Sequence, residues 1–363
     1  MGVPIQLRFP TGYAMSRFTA PPSSHQTLFR WVLIFFIAAI VVGEPLLIWP
    51  AFKKLSGRGI NWRAWRASYS ERQLSVPSDG QPREGIWGVK LSPVWDKKLG
   101  LWILPERHVP SVFDIDGDGF QYASTGPHPT FRILIMGGSV AAGAYASSEA
   151  RTYFHQLANR LRARHHSVQI TVEATGAWTS REELQAFKEK GVSLKPDIVV
   201  LLDGLNDITL NNELPLEQRV GDYLGRMKQL RDLALAQGAK VVFAPQPFLP
   251  QKRHKTALEM IIQMESVRPV DRLVQSYGKL LRGLRDMSVP HQVYYMDCSG
   301  AFDRTRFTTF TDIWHFADVG HARLAEYMTV KLDPILRDIE NQKGVLPREL
   351  ASGPPPDSPY FHF

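Results

Sequence analysis

The sequence predicts an α/β fold in which a parallel five-stranded sheet is covered by helices on both faces. From residue 131 onward, short apolar segments alternate with longer amphipathic segments, which is typical of strands joined by helices. Three of the apolar segments run into glycine, at Gly137, Gly176 and Gly204, and glycine favours a tight turn where a strand ends. A doubly wound sheet follows, because helices that connect parallel strands pack on its faces.

Each element has its own signal. The run 131–136 (FRILIM) predicts the first buried strand, and residues 149–164 predict a helix with its apolar side chains on one side. Pro269 divides the fourth predicted helical segment, and Pro334 should kink or end the last one, because proline cannot donate the helical hydrogen bond. The remaining strands are predicted at 168–172, 197–202, 240–244 and 292–296, and the remaining helices at 181–190, 216–237, 256–286 and 317–340.

An apolar segment near the N-terminus predicts a membrane anchor. Residues 31–43 (WVLIFFIAAIVVG) are uncharged, and the apolar pattern resumes after Glu44 and Pro45. Residues 31–50 as a whole therefore reach the length of about 20 residues that a spanning helix needs. A cleaved signal peptide is one alternative, although no clean cleavage site follows. A buried core helix is the other.

The chain of 363 residues divides into five predicted segments. A basic tail at 1–30 precedes the transmembrane anchor at 31–50. Residues 51–128 are rich in Trp, Pro and Gly, which predicts an irregular stalk or a small β-rich extension packed on the main domain. The α/β domain is expected at 129–342, followed by a mobile Pro-rich tail at 343–363.

The composition excludes some classes of function. The formal net charge of +8 favours encounter with an anionic surface or polymer. No nucleic-acid-binding motif is present, so we expect no nucleic-acid partner. The single cysteine, Cys298, excludes an internal disulfide. The sequence has no Cys/His ligand set and no HExxH motif, so we expect no metal and no organic cofactor.

Ser139 is the candidate nucleophile. It follows the first predicted strand after Gly137 and Gly138, and the glycines let a tight turn bring its N–H and hydroxyl to the same reacting carbon. Ligands of open α/β sheets bind beyond the carboxyl ends of strands, which is where this serine should lie. The alternative is a phosphate-binding turn at a helix N-terminus. The G-x-S-x-G elbow of α/β-hydrolases is absent.

His315 is the candidate general base. Asp312 precedes it by three residues, a spacing that brings a carboxylate to the imidazole in a turn. The carboxylate would fix the tautomer and stabilise the imidazolium that forms when the histidine takes the serine proton. The nearest competitor is His321, since Asp318 precedes it at the same spacing. We interpret His321 as a solvated or packing residue of the last helix.

Asn206 and Gly176 are the candidate oxyanion donors. Asn206 follows a predicted buried strand and a glycine, where its side-chain amide can donate to a developing oxyanion. Gly176 could offer a backbone N–H to the same oxyanion. Both residue types also occur simply as turn formers, and we expect Asp207 to cap its own loop in this way.

These motifs resemble the signature blocks of the SGNH hydrolase superfamily, also called GDSL-type esterases and lipases. Gly138 stands where Asp is most usual in the nucleophile block, and either Gly176 or Ala177 could align with the oxyanion glycine. The resemblance covers about residues 131–335. The blocks are ILIMGGSVAAG (133–143), TGAWTSREEL (175–184), IVVLLDGLNDI (198–208) and TDIWHFADVGHARLA (311–325).

The resemblance implies a flavodoxin-like, five-stranded SGNH hydrolase fold and ester hydrolysis. Ser139 would attack the ester carbonyl, with His315 as base and Asp312 as its orienting partner. The N–H groups of Ser139 and Gly176 and the side chain of Asn206 would hold the oxyanion. The implied substrate is an acyl ester, such as an acetyl ester, of a glycan or lipid. A polysaccharide O-acyltransferase with the same triad and a catalytically idle, membrane-tethered binding module remain alternatives. The sequence does not indicate an oligomeric state.

The charges around the predicted anchor bear on its orientation. Three arginines precede residue 31, and five basic residues follow residue 50 up to Arg66. The positive-inside rule would place the C-terminal side in the cytoplasm. Analogy with membrane-anchored esterases favours the opposite orientation, and we expect a single-pass anchor with an extracytoplasmic catalytic domain.

Overall fold

The computed structural model describes residues 93–109, 113–126, 128–210, 213–264 and 270–342. The predicted anchor at 31–50, much of the predicted extension and the predicted C-terminal tail lie outside these residues. Among the helices of the described ranges, none has the length and apolar character needed to cross a bilayer.

The elements alternate along the chain much as the sequence predicts. The strands are β1 (Val94–Asp96), β2 (Leu101–Ile103), β3 (Arg107–Val109), β4 (Phe113–Ile115), β5 (Gln121–Ser124), β6 (Phe131–Gly137), β7 (Val168–Ala174), β8 (Ile198–Leu202), β9 (Lys240–Phe243) and β10 (Val293–Tyr295). The α-helices are α1 (Tyr153–Arg162), α2 (Ser180–Glu189), α3 (Leu205–Thr209), α4 (Leu216–Ala236), α5 (Ala257–Met264), α6 (Val270–Asp286) and α7 (Asp318–Gln342).

Six strands form the central sheet, in the spatial order β10-β9-β8-β6-β7-β5. Strands β6 to β10 are parallel, and β5 is antiparallel to β7 at one edge. The predicted α/β fold with a mostly parallel sheet is therefore confirmed. From β6 the chain passes to β7 on one side and then to β8 on the other. The carboxyl ends of β6 and β8 thus flank the crevice where an open α/β sheet binds ligands.

The prediction of a five-stranded sheet was wrong by one edge strand. The sixth strand, β5, belongs to the segment that we predicted as an irregular or β-rich extension, and it pairs with β7 from Gln121 to Ser124. Its four residues (QYAS) are too few, and too polar, for the alternation that indicates a strand. Earlier in the extension, β1 pairs with β2 and β3 pairs with β4, both antiparallel.

Alternate side chains of the central strands pack into two cores, one on each face of the sheet. Ile133 and Ile135 of β6 lie in one core with apolar residues of α1 and α7. Leu134 and Met136 lie in the other core with residues of α2, α4 and α6. Because helices cover both faces, β8 (IVVLL) is apolar and buried along its whole length. The sheet is therefore doubly wound.

The sequence predicted that Pro334 would kink or end the last helix. The helix does not end there but continues to Gln342. Proline removes the hydrogen bond that the carbonyl of Val330 would accept. Val330 is 54% exposed, so the missing hydrogen bond lies on the solvent side of the helix. The sequence also did not predict α3, whose five residues follow directly after Gly204.

Candidate active site

The turn after β6 places Ser139 at the carboxyl end of the sheet. A Cβ at Gly137 would collide with the carbonyl oxygen of Leu202 on neighbouring β8, and a Cβ at Gly138 would collide with the amide nitrogen of Asn206. Both glycines are therefore required by the close approach of other segments, in addition to the turn itself.

Three side chains form a continuous hydrogen-bond chain beside this turn. Ser139 Oγ lies 2.7 Å from His315 Nε2, and His315 Nδ1 lies 2.8 Å from Asp312 Oδ2. A carboxylate can only accept, so Nδ1 carries the proton and Nε2 accepts from the serine hydroxyl. This is the arrangement in which the imidazole can take the serine proton. The structure thus brings together the three residues that the sequence predicted as nucleophile, base and orienting acid.

Asp312 is held by its own loop as well as by the histidine. Its Oδ1 accepts hydrogen bonds from the backbone N–H groups of Trp314, at 2.6 Å, and His315, at 2.7 Å. Burial raises the pKa of Asp312, but the charge and hydrogen bond of His315 and the two backbone donors outweigh burial and keep the pKa below its ordinary value. The carboxylate therefore remains charged next to the imidazole at neutral pH.

The predicted oxyanion donors lie on two segments that meet beside Ser139. Asn206 lies on α3, and its Nδ2 donates to the backbone carbonyl of Trp178 at 2.7 Å. Gly176 and Ala177 form the turn after β7, which closes with a hydrogen bond from Trp178 N–H to the carbonyl of Thr175. Both turn residues line the same cavity as Ser139 and Asn206. The assignment of the backbone donor to Gly176, with Ala177 as the alternative, stays a prediction.

The turn stores backbone strain at Ala177. This residue has a φ of +68°, in the left-handed region that favours glycine. Such a conformation costs roughly 1–3 kcal/mol and persists only where the surroundings enforce it. The hydrogen bond from Asn206 to the next residue in the chain, Trp178, supplies part of that restraint.

Asp207 ties the same two segments together. It does not cap its own loop, as we predicted. Instead, its carboxylate accepts from the Ser180 N–H at 2.9 Å and from the Ser180 hydroxyl at 2.5 Å, at the start of α2. Burial raises the pKa of Asp207 to about 7, although the hydrogen bonds from Ser180 oppose that rise. Asn206 and Asp207 therefore hold the 176–180 segment at Trp178 and at Ser180.

The competing histidine has a structural role. His321 is fully buried, and its Nε2 donates to the carbonyl of Ala144 at 2.8 Å. Burial lowers its pKa to about 4, so it is neutral at pH 7. Asp318 does not pair with it but accepts from the N–H of Ser147 at 2.8 Å and from its hydroxyl at 2.5 Å. The packing interpretation of His321 is confirmed, whereas solvation is excluded by burial.

These contacts hold the loop that carries Tyr145, a site residue that the sequence analysis missed. The ring of Tyr145 lies 5.1 Å from the ring of His315, centroid to centroid, and its backbone has a φ of +65°. Trp314, on the other side of the site, stacks on Phe248 at 5.2 Å. The only sequence signal for Tyr145 is its place on the loop after Ser139, six residues downstream.

Together these residues enclose a cavity of about 270 Å³ beside Ser139 and His315. Its apolar walls come from six side chains on four segments: Ala144, Tyr145, Ala177, Leu205, Leu210 and Trp314. In the part of the chain that the structure describes, no group of three or more His, Cys, Asp or Glu side chains is arranged to hold a metal ion.

Comparison with known proteins agrees with the predicted resemblance. The sequence profile of the GDSL-like Lipase/Acylhydrolase family matches residues 135–323, just over half of the chain. Among curated proteins, none matches the chain significantly.

Several solved structures are similar to part of the chain, at low sequence identity and with TM-scores below 0.5. LAE5, an alpha/beta hydrolase enzyme from the metagenome of Lake Arreo, Spain, is 19% identical, with a TM-score of 0.44 over 58% of this chain and 98% of that one. Axe2, an acetylxylan esterase from Geobacillus stearothermophilus, is 15% identical, with a TM-score of 0.42 over 58% and 94%. The acetyl xylan esterase AlAXEase is 15% identical, with a TM-score of 0.40 over 55% and 99%. On the match to the family profile, the chain belongs to the GDSL-like lipase/acylhydrolase family of carboxylic ester hydrolases.

Proposed function

We propose that the protein hydrolyses acyl esters through Ser139, His315 and Asp312. The observation that carries this proposal is the unbroken hydrogen-bond chain from Ser139 Oγ through the imidazole to Asp312 Oδ2, with distances of 2.7 and 2.8 Å. A serine hydroxyl is a weak nucleophile until a neighbouring base takes its proton, and this chain supplies the base and its orienting acid.

In the proposed reaction, Ser139 Oγ bonds to the ester carbonyl carbon while its proton passes to His315 Nε2. The carbonyl π electrons move to the oxygen, and the resulting oxyanion accepts from the N–H of Ser139, the N–H of Gly176 and the amide of Asn206. When the intermediate collapses, the bond to the alkoxy oxygen breaks and His315 returns the proton to the departing alcohol. A water molecule then bonds to the carbonyl carbon of the acyl-serine while His315 takes its proton. The bond to Ser139 Oγ breaks, His315 returns the proton to Oγ, and the carboxylic acid is released.

The shape of the cavity supports a short acyl group. A volume of about 270 Å³ lies below the usual range of roughly 300–1,000 Å³ for small-molecule sites. Tyr145 and Trp314 line it next to His315, and a space of this size has little room for a long hydrocarbon chain. We therefore propose acetyl or another short acyl ester, carried by the hydroxyl group of a glycan or lipid.

We also propose that residues 31–50 anchor the enzyme in a membrane, with the catalytic domain outside the cytoplasm. The support is the uncharged apolar run of the sequence, together with the analogy to membrane-anchored esterases. If the anchor spans the bilayer, the protein stays with membranes through a high-salt and a carbonate wash. Release by either wash would contradict it.

Labelling with a fluorophosphonate tests the proposed nucleophile. The full-length protein should gain the mass of one adduct, and Ser139→Ala should gain none. Ser193→Ala is a matched control, because Ser193 is an exposed serine far along the chain whose hydroxyl donates to the Lys190 carbonyl. Labelling of Ser139→Ala would overturn the assignment, and absence of any label on folded wild-type protein would favour the idle binding module. A labelled enzyme that releases no acid from any ester would favour transfer to a hydroxyl acceptor.

A further inference from the structure

We propose that a second groove, next to the catalytic cavity, binds the sugar portion of the substrate as a neutral oligosaccharide. This inference rests on the proposed function, because it assigns the alcohol part of the ester. The groove has a volume of about 650 Å³, well within the usual range of ligand sites. We call it the side groove and define it by Trp102, Arg181, Glu182, Arg219, Asp222 and Arg226.

The side groove adjoins the catalytic cavity across the turn after β7. Gly176, Ala177 and Leu210 line both spaces. Because the two spaces share these residues, an ester with its carbonyl carbon at Ser139 can extend from one space into the other. The small apolar cavity fits the acyl group, and the larger polar groove fits the alcohol.

Trp102 gives the side groove an exposed aromatic face. It lies on β2, the residue is 53% exposed, and neighbouring residues contact both its ring and its backbone. The ring of Trp95 packs edge-on against it at 5.5 Å, and Trp178 Nε1 donates to the Trp102 carbonyl at 2.7 Å. A large ring that is rigid before binding offers contact area at a low cost in entropy. Pyranose rings present faces of C–H groups that stack on such a ring, while their hydroxyls point sideways to polar partners.

The remaining walls supply those polar partners with nearly balanced charge. Three arginines line the groove together with four acidic residues, Glu182, Asp207, Glu213 and Asp222. Arg226 lies 3.5 Å from Asp207, and Glu182 accepts from the N–H of Thr179, so part of this charge is already paired within the protein. A polyanion would meet four carboxyl groups here. A hydrocarbon chain would desolvate charged groups without replacing their hydrogen bonds. A neutral ligand rich in hydroxyls can both donate to the carboxylates and accept from the arginines.

The aromatic wall comes from outside the family region. Pro93 and Trp102 precede residue 135, where the family profile begins to match. The β1–β2 pair thus provides a side of the groove that the matched family region does not contain. The extension would therefore determine which alcohol portion of the ester is bound, without taking part in the bond-breaking steps.

A change in substrate selectivity tests the proposal. We would measure kcat/KM for O-acetylated xylotetraose and O-acetylated cellotetraose, and compare each value with that for 4-nitrophenyl acetate. In Trp102→Ala the ratio of oligosaccharide ester to small ester should fall about tenfold, and Trp102→Phe should restore most of it. Phe307→Ala removes an exposed aromatic side chain that lines neither the side groove nor the catalytic cavity, so its ratios should stay within about twofold of wild type.

Each other outcome contradicts the proposal. An unchanged ratio in Trp102→Ala would exclude Trp102 as a sugar platform, and an equal fall in Phe307→Ala would show that the change in ratio is not specific to the side groove. If Trp102→Ala selectively impairs long-chain acyl esters instead, the groove binds an acyl chain.

Direct binding separates a failure of this inference from a failure of the proposed function. Ser139→Ala protein is titrated with unacetylated xylotetraose, cellotetraose or tetragalacturonate, and tryptophan fluorescence is recorded. We expect a saturable change with a neutral tetrasaccharide that is absent when Trp102→Ala is combined with Ser139→Ala. No change, or a change with tetragalacturonate alone, would overturn the proposal even if the wild type hydrolyses esters. A saturable change in a chain that hydrolyses none would support the groove while the proposed function fails.

Discussion

The amide nitrogen of Asn206 donates to the backbone carbonyl oxygen of Trp178 across 2.7 Å. A carbonyl only accepts, so this contact fixes which end of the amide faces Trp178. The nitrogen carries a second N–H, which remains for an oxyanion formed at Ser139. One side chain therefore holds the turn that carries the predicted backbone donor and is itself the predicted side-chain donor.

Replacement of Asn206 should remove both effects. We expect Asn206→Ala to lower kcat for 4-nitrophenyl acetate by about 10²–10³-fold, as for the loss of one oxyanion donor. Asn159→Ala, on the exposed face of α1, is the matched control and should keep wild-type activity. Steady-state kinetics and thermal melts of both variants check this. A loss below about fivefold in Asn206→Ala would show that the amide is not an oxyanion donor.

Gly138 should be essential because of what lies against it. A Cβ at this position meets the Asn206 amide, whereas a Cβ at Gly221, on α4, meets nothing within 4 Å. Gly138→Ala should therefore displace the amide and lower kcat about as much as removing it does. Gly221→Ala should keep activity and stabilise the helix by about 0.5–1 kcal/mol. Urea denaturation and kinetics of the two variants distinguish the effects. Equal behaviour of the two variants would contradict the close approach.

Asp312→Asn should impair catalysis by leaving the histidine in the wrong tautomer. The amide can donate towards Nδ1, which moves the ring proton to Nε2 and removes the acceptor for the Ser139 hydroxyl. By the behaviour of other Ser-His-Asp triads, kcat should fall by about 10⁴-fold with little change in fold. Burst kinetics with a chromogenic ester measure the acylation step. If acylation slows less than tenfold, another acid orients His315.

Asp207 should make stability depend on pH in the opposite sense from a salt-bridged carboxylate. Its pKa is raised to about 7 in the fold and is about 3.9 in the unfolded chain. Between these values the folded state binds more protons, so the contribution of Asp207 to stability falls as the pH rises from about 4 to about 7, and is level above that. Asp207→Asn should remove this fall while its oxygen still accepts from Ser180. Denaturant midpoints from pH 4 to pH 8 give the difference between variant and wild type, and a constant difference would refute the assignment.

The sequence predicts those site residues whose motifs consist of positions close together in the chain. Ser139 follows a strand and two glycines, and Asp312 and His315 are three residues apart in one loop, so both signals lie within a few residues. The alternation of apolar and amphipathic segments likewise predicts the parallel strands, since burial on both faces makes them continuously apolar.

The rest depends on which segments meet in three dimensions. Asp207 finds its partner, Ser180, 27 residues earlier, and nothing in the residues around Asp207 indicates that contact. Tyr145 becomes a site residue because Asp318 and His321 of α7 hold its loop. Trp102 is one of several tryptophans in the extension, and its place beside the site depends on its backbone bond with Trp178.

The edge strand β5 has a further consequence for the state of the protein in solution. It pairs with β7 from Gln121 to Ser124, and the predicted domain boundary at residue 129 falls between it and β6. A chain begun at that boundary would leave one side of β7 (Val168–Ala174) without its partner. Unpaired N–H and C=O groups along a strand are a template on which a second molecule can add its own strand. A shortened enzyme would thus tend to aggregate even with its catalytic loops intact. By pairing with β7, the four residues of β5 prevent a second molecule from adding a strand there.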